Sequence, residues 1–336
     1  MSRLFNCTAT AVFAFALILS CALAAATPAS WSDPSPHNQG FVSVNGVRLE
    51  YLDWGGSGPA LILIHGSGDN AHAFDDLAPA FIDRFHVLAY SRRGHGLSAA
   101  KPPYDTVTLM EDLRGFMDAL GIAKANLVGW SLGGNEITAM AATHQERVAR
   151  LVYLEGGYDW SDPEYKRAFD AYPSRLRDTP ASAMSSLDAY RSYERAMDYT
   201  GLNDMRRVEA YLRESIVIQP DGSVRPRISK EVMDALTAAL WTNPSRDYTR
   251  VSSPALAIYS ESMIDLNVAD PESRADALAW ERTYMAPFRA KSIARVRREL
   301  AQVSVMTVPG AHDSFFLTSR EQVVKAVRRF LGVSAR

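Results

Sequence analysis

Short apolar runs alternate with stretches of helical spacing along most of this chain. Residues 60–64 are continuously apolar, which is typical of a strand buried on both faces of a sheet. Residues 108–120 place leucine and phenylalanine three and four positions apart, as in an amphipathic helix, and Gly121 then marks its end. Strands and helices that alternate at this interval predict an α/β fold with a mainly parallel sheet flanked by helices. The same pattern predicts further strands at 87–90, 126–128, 148–154, 254–259 and 303–308, and helices at 73–82, 132–144, 272–300 and 320–331.

Two segments depart from this alternation. Near the start, Asn45-Gly46 separates two apolar runs, and this dipeptide favours the type I′ turn of a β-hairpin. Between residues 158 and 251, strand-like runs nearly vanish and helix-compatible stretches replace them. We therefore predict a helical insertion, 158–251, into a core formed by 38–157 and 252–332. The helix predicted after the insertion carries five basic residues that we interpret as a solvated face: Arg289, Lys291, Arg295, Arg297 and Arg298.

The first 26 residues have the layout of a secretory signal peptide. Arg3 precedes an apolar run at 11–23, and small residues at 22–26 offer cleavage sites. The run is shorter than the ~20 residues that a membrane-spanning helix needs. We expect an exported protein, periplasmic or secreted, that loses residues 1–26. Two alternatives are an uncleaved membrane anchor and a lipoprotein attached through Cys21, although the lipobox there is a poor match. Only in these two cases would the protein associate stably with a membrane.

Composition narrows the class of protein and of partner. Of 336 residues, 47% are hydrophobic and 22% are charged, which is the balance of a globular protein with a sizeable core. The formal net charge of −2 provides no broad positive field, so we expect no nucleic-acid partner. Cys7 and Cys21 are the only cysteines, and a chain cleaved after residue 26 would contain no disulfide. The expected partner is a small-molecule substrate.

The candidate nucleophile lies in the run Gly129-Trp130-Ser131-Leu132-Gly133-Gly134, where a predicted strand meets a predicted helix. A G-x-S-x-G sequence at such a junction makes a strained turn that raises the serine hydroxyl above the edge of the sheet. A serine hydroxyl is a weak nucleophile and needs an adjacent base. His312 is the best placed of the seven histidines, because it lies between the last predicted strand and the last helix. Four others are interpreted as ordinary tail or edge residues: His37, His72, His86 and His144.

Glycines also follow the buried strand at 60–64, in the run His65-Gly66-Ser67-Gly68. An open backbone there lets N–H groups point at a developing oxyanion. We predict the amides of Ser67 and Leu132 as the oxyanion-hole donors, since Leu132 directly follows the nucleophile. Trp130, on the other side of Ser131, is predicted to bind substrate. Further candidates from the insertion are Tyr158, Trp160 and Met184.

Four motifs, in this order, resemble the α/β-hydrolase superfamily in its esterase/epoxide-hydrolase-like branch. They are His65-Gly66, Ser91-Arg92-Arg93-Gly94-His95-Gly96-Leu97-Ser98, the turn around Ser131, and Gly310-Ala311-His312. The resemblance covers about residues 40–157 and 252–332, and it implies the α/β-hydrolase fold with the helical insertion as a cap over the active site. Members usually carry D-x-R-G-x-G-x-S where this chain has Ser91 in place of the Asp. Epoxide hydrolases and haloalkane dehalogenases use an Asp at the position of Ser131, so we set both aside.

Two carboxylates compete for the role of the acid that orients the histidine. The resemblance places this acid after the seventh strand of the sheet, where the aligned position is Met263 and Asp265 follows two residues later. In a minority of the family the acid follows the sixth strand, and Glu155 stands there at the end of an apolar run. We favour Glu155 and keep Asp265 as the alternative. Either carboxylate would fix the imidazole tautomer and stabilise the imidazolium.

Together these residues predict two-step acyl transfer. His312 takes the proton from Ser131 as the serine attacks an ester or lactone carbonyl, and water then releases the acid. No metal or organic cofactor is expected, because the sequence contains no cluster with metal-ligand spacing. Three alternatives stay open: an aminopeptidase resembling proline iminopeptidase, a carbon–carbon bond hydrolase or perhydrolase with the same residues, and a low-turnover binding protein on this scaffold.

Overall fold

A computed structural model describes residues 31–244 and 246–333. The chain divides into two compact units, Met1–Pro34 and Ser35–Arg336, and residues 31–34 are the described part of the first. The predicted signal peptide at 1–26, with Cys7 and Cys21, lies outside the described residues. Within the described part of the chain, every helix is too short or too polar to span a membrane.

The second unit is built around an eight-stranded sheet. The described residues contain ten strands: β1 (Asn38–Val44), β2 (Val47–Gly55), β3 (Ala60–Ile64), β4 (His86–Tyr90), β5 (Ala125–Trp130), β6 (Val148–Leu154), β7 (Ile216–Ile218), β8 (Val224–Pro226), β9 (Ala255–Ser262) and β10 (Val303–Ala311). The large sheet has the order β1-β2-β4-β3-β5-β6-β9-β10. Its β1–β2 and β2–β4 pairs are antiparallel, and its other pairs are parallel. The predicted α/β fold with a mainly parallel sheet is confirmed.

Helices cover the sheet and fill the insertion. They are α1 (Thr106–Ala119), α2 (Gly133–Thr143), α3 (Pro163–Asp170), α4 (Ser174–Arg177), α5 (Leu187–Met197), α6 (Glu209–Ser215), α7 (Lys230–Thr242), α8 (Pro271–Trp280), α9 (Ala286–Glu299), α10 (Phe315–Thr318) and α11 (Arg320–Phe330). A π-helical turn, Glu281–Met285, joins α8 to α9, so the helix predicted at 272–300 is interrupted near its middle. Helices α3 to α7 and the small β7–β8 hairpin lie between β6 and β9. Residues 35–336 form one compact unit, and the division into core (38–157, 252–332) and cap (158–251) stays a prediction.

The central strands are buried on both faces, as their continuous apolar runs predict. Alternate residues of β3 belong to two different apolar clusters: Ile62 and Ile64 to one, Leu61 and Leu63 to the other. Successive side chains of a strand point to opposite faces, so each cluster covers one face of the sheet. The predicted hairpin also forms, because Asn45 and Gly46 take the left-handed φ angles, 51° and 74°, that a type I′ turn requires.

The prediction of a helix at 73–82 is wrong. The structure has two short 3₁₀ turns there, Ala71–Phe74 and Ala78–Ala80. The Asn70 side chain caps the first turn by accepting a hydrogen bond of 3.0 Å from the His72 amide. Pro79 has no N–H to donate to an α-helix, so the segment buries its apolar side chains without regular helical pairing.

Glycines allow the ends of β5 and β6 to approach each other. A Cβ on Gly134 would overlap the carbonyl oxygen of Gly156, and one on Gly129 would lie 2.6 Å from backbone atoms of Gly133. Real Cβ atoms do not come this close to backbone atoms. The glycines beside Ser131 and Glu155 therefore set how closely the two strand ends can pack.

We predict that Gly134→Ala destabilises the chain by about 3 kcal/mol or more, because a rigid backbone must move to accept the methyl group. The control is Gly222→Ala, which puts a Cβ in open space at a φ of +86° and adds only the strain of a left-handed residue, about 1–2 kcal/mol. Urea unfolding of both variants measures the difference. Equal losses would show that the backbone contact is not a constraint.

Candidate active site

The predicted nucleophile and the favoured acid occupy equivalent places on neighbouring parallel strands. Ser131 follows β5 and Glu155 follows β6, and both have left-handed backbones, with φ of 51° and 49°. The Ser131 amide donates a hydrogen bond of 3.0 Å to the carbonyl of Leu154, the last residue of β6. Non-glycine residues in this conformation are costly and concentrate at functional sites. The strain predicted for the G-x-S-x-G turn is present at Ser131, and Glu155 repeats it one strand away.

His312 lies against the favoured acid. Its Nδ1 atom is 3.0 Å from Oε2 of Glu155, a carboxylate with no exposed surface. Glu155 also accepts hydrogen bonds from the Ser260 amide, at 2.5 Å, and from the Tyr158 hydroxyl, at 3.1 Å. These contacts hold the carboxylate in one orientation beneath the imidazole.

Asp265, the alternative acid, has other partners. Its Oδ2 accepts hydrogen bonds from the Thr200 hydroxyl, at 2.5 Å, and from the Thr200 amide, at 3.3 Å. Its Oδ1 accepts one of 2.8 Å from the Asn267 amide. Of the two candidates, Glu155 is the one that the structure brings into hydrogen-bonding contact with His312.

The surroundings of His312 favour its protonated form. Burial alone would lower the pKa of this imidazole, but its hydrogen bond to Glu155 and the negative charges of Asp313, Glu155 and Asp69 outweigh burial and raise the pKa above the usual 6.5. This balance is expected for a base that must carry a positive charge for part of a reaction cycle.

Two tryptophans connect His312 to the Ser131 turn. The ring of Trp160 lies 6.1 Å from the His312 ring, and its Nε1 donates a hydrogen bond of 3.4 Å to the carbonyl of Ser131. Trp130 is buried, packs on Phe316, and donates from Nε1 to the His312 carbonyl at 3.2 Å. Trp130 thus supports the backbone of the histidine, and its predicted contact with substrate stays a prediction.

A buried arginine holds the predicted oxyanion loop in place. Arg92, 1% exposed, donates from Nη1 to the Gly66 carbonyl at 2.7 Å and from Nη2 to the His65 carbonyl, and it forms an ion pair with Glu136. Glu136 also accepts a hydrogen bond of 2.8 Å from Tyr90. Because both charges are paired and hydrogen-bonded, they tolerate complete burial and fix the loop just before Ser67.

His65 and Leu132 complete this side of the site. Burial, and next the nearby charge of Arg92, lower the pKa of His65 well below its usual value, so the ring is neutral. Its Nδ1 contacts the Gly66 carbonyl at 2.8 Å, and its Nε2 accepts a hydrogen bond of 3.0 Å from the Arg92 amide. Leu132 caps the start of α2, where amide N–H groups lack partners within the helix and attract negative charge.

The solvated-face interpretation is wrong for Arg289. This side chain is 7% exposed, forms an ion pair of 2.7 Å with Glu281 in the π-helical turn, and contacts the Tyr158 hydroxyl at 3.3 Å. It therefore supports Glu155 through Tyr158. The spacing of basic residues in the sequence did not indicate this role, because Glu281 and Tyr158 approach Arg289 only in the folded chain.

Sequence patterns also missed a group of acidic residues around the site. Asp69 lies beside the Ser131 turn, because a Cβ on Gly66 would be within 3.2 Å of both Asp69 Oδ2 and Ser131 Cβ. Tyr211 donates a hydrogen bond of 2.7 Å to Oδ1 of Asp69. Burial raises the pKa of Asp69 to about 7, with a further contribution from Asp313. Burial, followed by the charges of Asp313, Glu194, Asp265 and Asp69, raises the pKa of Asp198 well above its ordinary value. The region around His312 is therefore rich in buried acids whose protonated form is favoured.

Comparisons with known proteins agree with this fold. Residues 59–218 match the model of the alpha/beta hydrolase fold. The 2-(acetamidomethylene)succinate hydrolase of Mesorhizobium japonicum is 27% identical over 82% of this chain and 89% of its own length. RutD of Caulobacter segnis, provisionally assigned as a carbamate hydrolase, is 35% identical over 42% of this chain, which spans 54% of that relative. A crystal structure of E-2-(acetamidomethylene)succinate hydrolase superposes with a TM-score of 0.68 at 24% identity, over 88% of this chain and 100% of the other.

The fold and these similarities lead to one conclusion. The chain has the α/β-hydrolase fold and is similar over most of its length to a hydrolase of that fold.

We predict that Glu155→Gln lowers the pKa of His312, because burial then acts on the imidazole without its hydrogen-bonded carboxylate. NMR titration of the His312 ring measures this change. The matched control is Asp265→Asn, which should leave the pKa nearly unchanged, since Asp265 bonds to Thr200 and Asn267 instead. A larger drop in the Asp265 variant would reverse the choice of acid.

Proposed function

We propose that this chain is a serine hydrolase that cleaves a small carboxylic ester or lactone through an acyl-enzyme. Ser131 is the nucleophile, His312 the general base and acid, and Glu155 the carboxylate that orients it. The observation that carries the proposal is the 3.0 Å contact between His312 Nδ1 and Glu155 Oε2, one strand away from the strained Ser131 turn. Glu155 engages Nδ1 and leaves Nε2 to accept the serine proton.

In the first half of the reaction, His312 Nε2 takes the proton as Ser131 Oγ bonds to the carbonyl carbon. The carbonyl electrons move to oxygen, and the amides of Ser67 and Leu132 stabilise that oxyanion. The oxyanion then collapses, the bond from carbon to the leaving oxygen breaks, and His312 gives its proton to the departing alcohol. Water repeats the sequence on the acyl-enzyme, releases the carboxylic acid and restores Ser131.

The charges around the site bear on which acyl group is accepted. One relative is named for a succinate derivative, whose carboxylates would meet Asp69, Glu194, Asp198 and Asp313 here. Burial raises the pKa of these four acids, so their protonated form is favoured. A further anion beside them would raise these pKa values again, whereas a cation would favour their ionised form. We therefore do not transfer that substrate to this chain, and an uncharged or cationic substrate fits better.

The acidic surroundings also favour a second candidate, aminopeptidase activity. The ammonium group of an N-terminal amino acid would bind favourably among these carboxylates, and the same Ser131 chemistry would cleave the amide. Hydrolysis of aminoacyl p-nitroanilides above the rate for matching p-nitrophenyl esters would select this candidate.

We predict that the mature protein hydrolyses short p-nitrophenyl esters and that Ser131→Ala, with unchanged thermal unfolding, loses roughly 10⁴-fold or more in kcat. Because Glu155 raises the pKa of His312, kcat/KM should increase with pH through a value above 6.5, and this limb should move to lower pH in Glu155→Gln. Full activity in Ser131→Ala would exclude the mechanism.

A matched substrate pair tests the role of charge. Acetylcholine and its uncharged analogue 3,3-dimethylbutyl acetate have similar shapes, and we predict about a 10-fold preference of kcat/KM for the cation, as expected for roughly 1.4 kcal/mol of attraction. This preference should grow as the pH rises through about 7, where Asp69 ionises, and Asp69→Asn should reduce it. Asp188→Asn, on helix α5 with its side chain 88% exposed, should not. An unchanged preference in Asp69→Asn, or a preference for the neutral ester in the parent, would argue against charge selection.

A further inference from the structure

Three side chains from distant parts of the chain meet in the interior, away from the residues assigned to hydrolysis. Glu50 lies on β2, His72 on the first 3₁₀ turn after β3, and Glu214 on α6 of the insertion. Their exposed fractions are 0%, 7% and 8%. Each offers one oxygen or nitrogen ligand atom, and these atoms lie within 4.8 Å of one another.

Among the described residues, Oε1 of Glu214 has no N–H or hydroxyl donor other than a proton shared with the Glu50 carboxylate. This oxygen is buried, which is a costly arrangement for a charged group. This oxygen points into the cluster. A Cβ added to Gly96 would lie 2.5 Å from it, 2.5 Å from Ser91 Oγ and 2.7 Å from Glu50 Oε2. Three oxygens thus converge beside a glycine that leaves room between them.

The histidine is held between two carboxylates. His72 Nδ1 lies 2.9 Å from the Asp75 carboxylate and Nε2 lies 3.2 Å from Glu214 Oε2, so both ring nitrogens donate hydrogen bonds. A metal ion at Nε2 would replace that proton, and Asp75 would still fix Nδ1. A carboxylate on one ring nitrogen that fixes the other for a metal is the common arrangement of histidine ligands.

The second carboxylate is also held in place. Oε1 of Glu50 accepts a hydrogen bond of 2.5 Å from Gln39, and Oε2 accepts one of 2.9 Å from the Leu97 amide. Glu50 and Glu214 are both buried and lie close together, and a divalent cation between them would compensate their negative charge.

We propose that Glu50, His72 and Glu214 form a binding site for a divalent transition-metal ion, with Zn²⁺ as the best match. Two carboxylates and one imidazole suit zinc, whereas magnesium and calcium prefer oxygen ligands alone. The proposed role of the ion is structural, and the ion takes part in no step of the proposed hydrolysis.

The ion would join the insertion to the core. Helix α6 already contacts the loop after β3: Asn70 Nδ2 donates to the Tyr211 carbonyl at 3.2 Å and to Ser215 Oγ at 3.1 Å. Glu214 and His72 lie on these same two segments. Zinc at their meeting point would therefore hold α6 against the loop that also carries Ser67.

The test is calorimetric titration of chelator-treated, full-length protein with Zn²⁺, followed by thermal unfolding. We expect one ion per chain and a rise in Tm that grows with free Zn²⁺, because an ion that binds only the folded state stabilises it. Glu214→Gln should weaken zinc binding by more than about 10–100-fold. That range is typical for removing a residue that only hydrogen-bonds to a metal ligand, and removing a ligand itself should cost more. Glu209→Gln, on the same helix and paired with Arg191 and Arg213, is the control that should bind as the parent does.

X-ray absorption spectroscopy of the zinc-loaded parent protein needs no variant and identifies the atoms that bind the zinc. We expect one imidazole nitrogen, with oxygen atoms as the other ligands. Sulfur ligands would assign the zinc to Cys7 or Cys21, and two or more imidazoles would assign it to another histidine group; either result overturns the site. So does parent protein that binds no Zn²⁺, because Glu50 and Glu214 then share a proton instead of a metal.

Discussion

The ends of two neighbouring parallel strands, β5 and β6, impose the constraint on which the candidate site depends. Each strand ends at a residue with a left-handed backbone: Ser131 after β5 and Glu155 after β6. The glycines that flank these residues let the two turns touch through the backbone. A parallel sheet places such strand ends at one edge, and ligands of open α/β sheets bind there. His312, which follows β10 on the same edge, then needs only a short reach to Glu155. Backbone geometry decides which side chains can meet.

Buried charge supports this arrangement at some cost in stability. Arg92 and Glu136 on one side, and Arg289 and Glu281 on the other, are ion pairs with little exposed surface. Such pairs add little net stability compared with apolar packing, but each holds a segment in one place. The first fixes the loop at His65 and Gly66, and the second fixes Tyr158 beneath Glu155. The apolar clusters on the two faces of the sheet supply the stability that these pairs do not.

Much of this could be read from the sequence, because the informative patterns are local. A continuous apolar run identified β3, an Asn-Gly dipeptide identified the hairpin, and the glycines around Ser131 identified the strained turn. The features that could not be read depend on contacts between distant positions. Arg289 looked solvent-facing because its partners Glu281 and Tyr158 approach it only after folding. The segment at 73–82 showed helical spacing, but the side-chain cap of Asn70 and the proline at 79 decided its local structure.

Helix α6 is only seven residues long, yet it contacts the core at three points. Tyr211 reaches Asp69 beside the Ser131 turn, Glu214 meets Glu50 and His72, and Ser215 contacts Asn70. The insertion is therefore not an interchangeable module resting on a finished scaffold. A lineage that replaced the insertion would have to change the loop after β3 at the same time, or leave buried acids without their partners. In this chain the insertion and the loop after β3 therefore form one interlocked unit of buried acids and their partners.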